Sequence, residues 1–98
     1  MRRPEEVDWD DEKDLRNQAK HGVAFRDAAK VFLDPRHQTR TDFGSPMGDP
    51  RWQTIGSTAL GILFVVHAEQ DGDVVRIISA YRADKYDRRA YEAGTFGD

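Results

Sequence analysis

Ninety-eight residues are enough for one domain and hardly two, and a domain of this size buries only about 60–65% of its unfolded surface. Hydrophobic residues make up 38% of the chain and charged residues 34%, a globular balance with a polar lean. The absence of cysteine excludes a disulfide framework and a thiolate metal site, and a net charge of -3 argues against a polyanion bound over the whole surface. The charge is uneven, however. Acidic residues dominate Glu5 to Asp14, whereas Arg76, Arg82, Lys85, Arg88 and Arg89 gather in the second half. Such a patch suits either phosphate or a solvated helix face. The longest apolar run, Ile62 to Val66, is too short to span a bilayer, and Met1-Arg2-Arg3-Pro4 has no apolar stretch behind it. The expected location is therefore the cytoplasm, with no membrane partner.

Residues 1–8 read as a poorly ordered lead-in to a single domain spanning 1–98. Asp10 or Asp11 caps a first helix running to about Lys20, and Gly22 ends it as the residue that accepts a left-handed conformation. Phe25, Ala28, Ala29 and Phe32 recur at i, i+3, i+4 and i+7, predicting a second helix that Asp34-Pro35 stops. Residues 37–42 form an edge strand, and Phe43 to Pro50 a loop rich in Gly and Pro. Three strands follow: Trp52 to Gly56, Ile62 to Ala68, and Val74 to Ala80. The unbroken apolar character of the second marks it as central. Asp71-Gly72 is a two-residue hairpin signal. Asp84 caps a last helix ending before Gly94. The expected fold is α+β: two N-terminal helices, a four-stranded antiparallel sheet and a C-terminal helix.

The hairpin permits a register. If Gln70 opposes Asp73, then His67 opposes Arg76, Val65 opposes Ile78 and Phe64 opposes Ser79. Folding the preceding strand back brings Arg51 towards His67, so Arg51, His67 and Arg76 are expected at one end of the sheet. That group suits RNA phosphodiester cleavage. The ribose 2′-hydroxyl supplies the nucleophile, an imidazole can move its proton, and guanidinium groups can grip the phosphate. Arg82 lies roughly 20 Å along the strand from Arg76, so the two do not meet one phosphate. Arg82, Lys85, Arg88 and Arg89 instead suit the RNA backbone or an acidic partner surface. Lys20 and His21 offset the dipole at a helix C-terminus, and the same charges are candidates for RNA contact. His37 stands alone in a polar stretch. Three histidines without usable spacing make no metal site, and no cofactor-binding motif is present.

Taken in order, Trp9-Asp10 with Lys13, Asn17-x-x-Lys20-His21-Gly22-Val23 with Phe25, Asp34-Pro35, Arg51-Trp52 with Ile55-Gly56, and Ile77-Ile78-Ser79-Ala80 resemble the BrnT family of type II toxin–antitoxin systems. The resemblance covers about Val7 to Glu92. It implies a RelE-like fold, a metal-independent endoribonuclease that halts translation, and a BrnA-like antitoxin carrying a DNA-binding domain, through which alone the toxin would meet DNA. Family members commonly carry arginine where this chain has Tyr81, with Arg82 one residue later, so Tyr81 and Arg82 join Arg51, His67 and Arg76 as expected catalytic residues. The alternative expectation is a catalytically impaired relative that binds antitoxin and tunes promoter occupancy.

Overall fold

A computed structural model describes residues 4–42, 44, 50–70 and 73–97. Strand β1 is Glu6–Asp8, helix α1 Asp11–His21, and the short helix α2 Phe25–Ala28, which continues as a 3-10 turn over Ala29–Leu33. Strands β2 (Gln38–Asp42), β3 (Arg51–Thr58), β4 (Gly61–Gln70) and β5 (Val74–Arg82) follow, and helix α3 (Lys85–Ala93) comes last. The sheet has five strands in the order β1-β5-β4-β3-β2. It is mixed, because β1 pairs parallel to β5 while the other pairs are antiparallel. The α+β class holds. The four-stranded, purely antiparallel sheet does not, since Glu6–Asp8 lies in a strand rather than a loose lead-in. Residues 1–3 of that lead-in, most of the 43–50 loop and the Asp71-Gly72 turn fall outside the described residues. Among the described residues no helix is long and apolar enough to cross a membrane.

The helix ends follow local chemistry. Asp10 accepts hydrogen bonds from the backbone N–H groups of Glu12 and Lys13, and Gly22 closes α1 at φ 70°. Asp84 caps α3 through the N–H of Asp87, and Gly94 ends it. The predicted second helix is α-helical for only four residues before tightening. There the backbone of Val31 presses on β3 so closely that a Cβ on Gly56 would lie 2.8 Å from the Val31 carbonyl oxygen. The glycine is required for contact, not for conformation.

The two sheet faces differ. On the inner face Leu63, Val65, Val75, Ile77 and Ala80 pack against Val23, Phe25, Ala28, Val31 and Phe32. On the outer face Ile55 and Phe64 meet Ala83, Tyr91 and Phe96. Pairing between β4 and β5 runs Gln70 to Val74, Ala68 to Arg76 and His67 to Ile77, then shifts, so that Val66 meets Ser79 and Phe64 meets Tyr81. The expected register is thus off by one residue near the turn and by two beyond it. An extra residue, Ile78, bulges between the paired positions, a device that re-aims every side chain after it.

One buried side chain ties α1 to this sheet. Asn17 donates from Nδ2 to the carbonyls of Val23 and Ala80, both at 2.8 Å, and its Oδ1 accepts from the N–H of Ala80 at 3.1 Å. The amide thereby stands in for a neighbouring strand along β5 past the end of β1. Asn17→Ala strands an N–H and two carbonyls in the interior and is expected to destabilise the fold by about 3 kcal/mol. Asn17→Asp, which keeps the shape but loses both donors, moves the same way. Urea denaturation measures both losses.

Candidate functional site

Strand alternation decides which predicted residues share a surface. Trp52 pairs with His67, so Arg51 falls on the opposite, outer face. Ala68 and Arg76 are paired there as well. Arg51 and Arg76 therefore flank Ala68 on one surface, two strand spacings or roughly 10 Å apart at the backbone. Val66, Gln53 and Ser79 form the next rung, and Phe64 and Tyr81 the one beyond. Helix α3 and Phe96 cover this last region, with Val66 packed at its margin. The rungs of Val66 and Ala68 remain half-exposed, a shallow open floor edged by cations. Arg76 is held by Asp8 on the adjoining strand at 2.7 Å.

His67 is not part of this surface. It lies on the inner face, 3% exposed, edge-on to Phe32 at 5.3 Å, with Nε2 hydrogen-bonded to the Thr54 hydroxyl at 2.7 Å. Thr54 Oγ1 in turn contacts Thr39 Oγ1. The expected meeting of His67 with Arg51 and Arg76 fails because the true register pairs His67 with Ile77, turning it away from both. His37 is likewise buried rather than solvated, its Nδ1 at 2.8 Å from the Asp34 carbonyl.

A different histidine reaches the outer side. The His21 ring, at the end of α1, lies 5.4 Å from that of Tyr81, and the other face of Tyr81 stacks on Phe64 at 4.9 Å and 13°. The bulge at Ile78 makes this possible: with unbroken alternation Tyr81 would share the inner face with Ile77. Arg82, paired with Leu63, then points to the opposite face, and one nitrogen of its guanidinium lies 4.0 Å from a Cβ built on Gly22. His21 and Tyr81 thus meet at the corner where α1 ends and β5 leaves the sheet, and the Arg82 guanidinium lies beside the next residue, Gly22. Lys20 is exposed beside them. Among the described residues neither Lys20, Arg82 nor Arg89 has an ion-pair partner. Lys85 lies against the ring of Tyr86, and Arg88 donates to the Ala83 carbonyl, so these two lean on the frame of α3.

Burial raises the Tyr81 phenol above its ordinary pKa, the carboxylates of Asp87, Asp84 and Asp42 add to the shift, and Arg40 opposes it. Tyr81 therefore stays protonated near neutrality and acts as a donor rather than a base. Asp87 is raised too, by burial first and then by Asp84. It lies on the stripe of α3 that faces the sheet, with Ala90 and Tyr91, and is not among the residues expected at the site. Its one visible signal was that helical spacing.

Comparison with known proteins defines first a class, the ribonuclease toxins of type II toxin–antitoxin systems. The model of the family described as "Ribonuclease toxin, BrnT, of type II toxin-antitoxin system" matches residues 9–87, and the chain belongs to that family. Among solved structures it is similar to the ribonuclease toxin BrnT of Brucella abortus, with 27% identity, a TM-score of 0.61, and coverage of 82% of this chain and 97% of the Brucella chain. No curated protein matches the sequence.

His67 makes acid stability a test of this arrangement. Burial lowers its pKa from 6.5 to about 4, and the charge of His37 pushes the same way. The unfolded chain takes up the proton first as pH falls, so stability is complete above about pH 6.5, declines towards pH 4 and levels off below. The expected loss is on the order of 3 kcal/mol. Urea midpoints measured across this range should show the decline, and His67→Gln should remove most of it.

Proposed function

We propose that the chain is an endoribonuclease toxin that places a scissile RNA phosphate at the corner of His21, Tyr81 and Arg82, with flanking phosphates held over the outer face by Arg51 and Arg76. The observation that carries this reading is the convergence of an imidazole, a phenol and a guanidinium from two elements on one corner. In the reaction the 2′-oxygen attacks phosphorus, the bond to the 5′-oxygen breaks, and a 2′,3′-cyclic phosphate remains. One proton leaves the 2′-hydroxyl and one reaches the departing 5′-oxygen. An imidazole carries either near neutral pH, so His21 takes that role in place of His67. Arg82 neutralises the charge that grows on the phosphoryl oxygens, and Tyr81 donates a hydrogen bond to one of them while holding the His21 ring. Lys20, Lys85, Arg88 and Arg89 extend the positive surface along the strand. The residues themselves supply both charge and proton transfer, so the reading is of metal-independent cleavage.

Family membership supports the remainder of the proposal. The fold is RelE-like, the cleavage halts translation in the cytoplasm, and a BrnA-like antitoxin with a DNA-binding domain neutralises the toxin and carries it to DNA. The antitoxin would cover the cationic corner with acidic groups.

The purified protein should cut single-stranded RNA in the presence of EDTA. His21→Ala and Arg82→Ala should each lower kcat by about a hundredfold or more. Arg51→Ala should act mainly by raising KM. Expression without antitoxin should arrest growth. A folded wild-type protein that cuts no RNA and arrests nothing, but gains both properties as Tyr81→Arg, would replace this reading with that of an impaired antitoxin-binding relative.

A further inference from the structure

Beside β2 lies a cavity of about 720 Å³ lined by Thr39, Arg40, Thr41, Asp42, Gln53 and Gly97, a volume in the range of small-molecule sites. Its most ordered charged group is Arg40. The guanidinium carbon lies 3.9 Å above the centre of the Phe96 ring, and Nε–H donates to Gln53 Oε1 at 2.7 Å. Phe96 is itself 1% exposed and packs edge-on against Phe64. Arg40 is thus an exposed arginine whose planar head is fixed from below by an immobile ring and from one side by an amide. An arginine that only solubilised the strand would need neither restraint. Held flat, a guanidinium offers its second face to another planar group, which is how RNA-binding proteins seat an unstacked base.

We infer that this cavity is a nucleobase subsite, in which a base of single-stranded RNA stacks on Arg40 while the Gln53 amide, on the same sheet face, meets its edge. The inference rests on the reading that RNA lies across the outer face, and it adds a contact that none of the phosphate-binding groups provides. A phosphate is the poorer occupant, because Asp42 sets a carboxylate in the lining and Arg40 has its Nε–H engaged by Gln53. Position fits a strand already held next door: Arg40 pairs with Gln53, and the next pair on the same face is Asp42 with Arg51. The ring beneath the platform comes from Phe96, beyond the 9–87 span of the family model. Any base preference the subsite confers is therefore built partly from a segment outside that span.

The test uses uncleavable strands. A 2′-O-methyl RNA hexamer of mixed sequence and an all-abasic hexamer of the same length are titrated into the full chain, and into Arg40→Lys and Phe96→Leu variants, with binding read by fluorescence anisotropy. Arg40→Lys keeps the charge but loses the plane, and the folding of each variant is checked by circular dichroism. Wild type should bind the base-bearing strand at least about fivefold tighter than the abasic one. Arg40→Lys should lose most of that gap while its affinity for the abasic strand stays unchanged, and Phe96→Leu, if folded, should follow it. A gap as large in Arg40→Lys as in wild type overturns the subsite. If that occurs in a protein that still cuts RNA, the subsite alone fails; if wild type binds neither strand, the RNA reading falls with it.

Discussion

A side-chain amide in the place of a missing strand is the constraint on which the rest of this molecule depends. Strand β1 accompanies β5 only as far as Arg76, and beyond that point the backbone of β5 needs another partner. Asn17 provides it, bonding both the N–H and the carbonyl of Ala80. Because Asn17 stands one helical turn before His21, the same bonds fix the end of α1 against the end of β5. The corner that joins His21, Tyr81 and Arg82 is a geometric consequence of that repair. A carboxylate extends the lock: Asp14 accepts the N–H of Phe25 at 2.8 Å and starts α2 at an end whose own cap residue, Ala24, has no side-chain acceptor.

The sheet then separates two kinds of chemistry by a single-residue bulge. On the inner face burial keeps His67 neutral near pH 7, and a hydroxyl relay from Thr39 through Thr54 meets its Nε2 while its Nδ1 has no hydrogen-bond partner among the described residues. On the outer face small side chains leave an open floor and cations line its edges. The extra residue at Ile78 is what allows one short strand to send Ile77 and Ala80 into the core, Tyr81 to the outer face and Arg82 to the opposite one. On the far side, Asp34 binds three elements together, accepting from the N–H groups of Arg36 and Ser57 and from the Tyr91 hydroxyl. Burial alone would raise this carboxyl, but those hydrogen bonds hold it below the ordinary carboxylate value.

Much of this was legible in the sequence where the signal is local. Asp10, Gly22, Asp84 and Gly94 announce helix ends by their own backbone chemistry, and the apolar run of β4 announces a central strand. The signals that failed are non-local. Three residues around Val7 have too little pattern to reveal β1, which exists because the flank of β5 is vacant. The bulge has no residue signature, and neither has the one-residue offset between the turn and His67, which by itself gave His67 the wrong partner and the wrong face. The shared face of Arg51 and Arg76 emerged through alternation alone. The role offered to His21 could not be separated from simple dipole compensation until Tyr81 was seen beside it. Phe96 carried no sign of its position under Arg40, since the contact spans more than fifty residues and depends on the chain turning back after Gly94.

That return has a consequence for how the molecule behaves among its own copies. β2 is the outermost strand on its side, and such a margin offers unsatisfied peptide groups to any extended chain nearby. Gln38 uses both ends of its amide to anchor the returning segment, donating to the Tyr91 carbonyl and accepting from the N–H of Phe96. Gly97 is then brought so close to the Thr39 carbonyl that a Cβ there would sit 3.1 Å from the oxygen. The first half of the margin is thereby shuttered by the chain itself, and the remainder carries the charges of Arg40 and Asp42. A protein with so small an interior gains from this a defence against sheet-to-sheet aggregation that its core volume alone could not give.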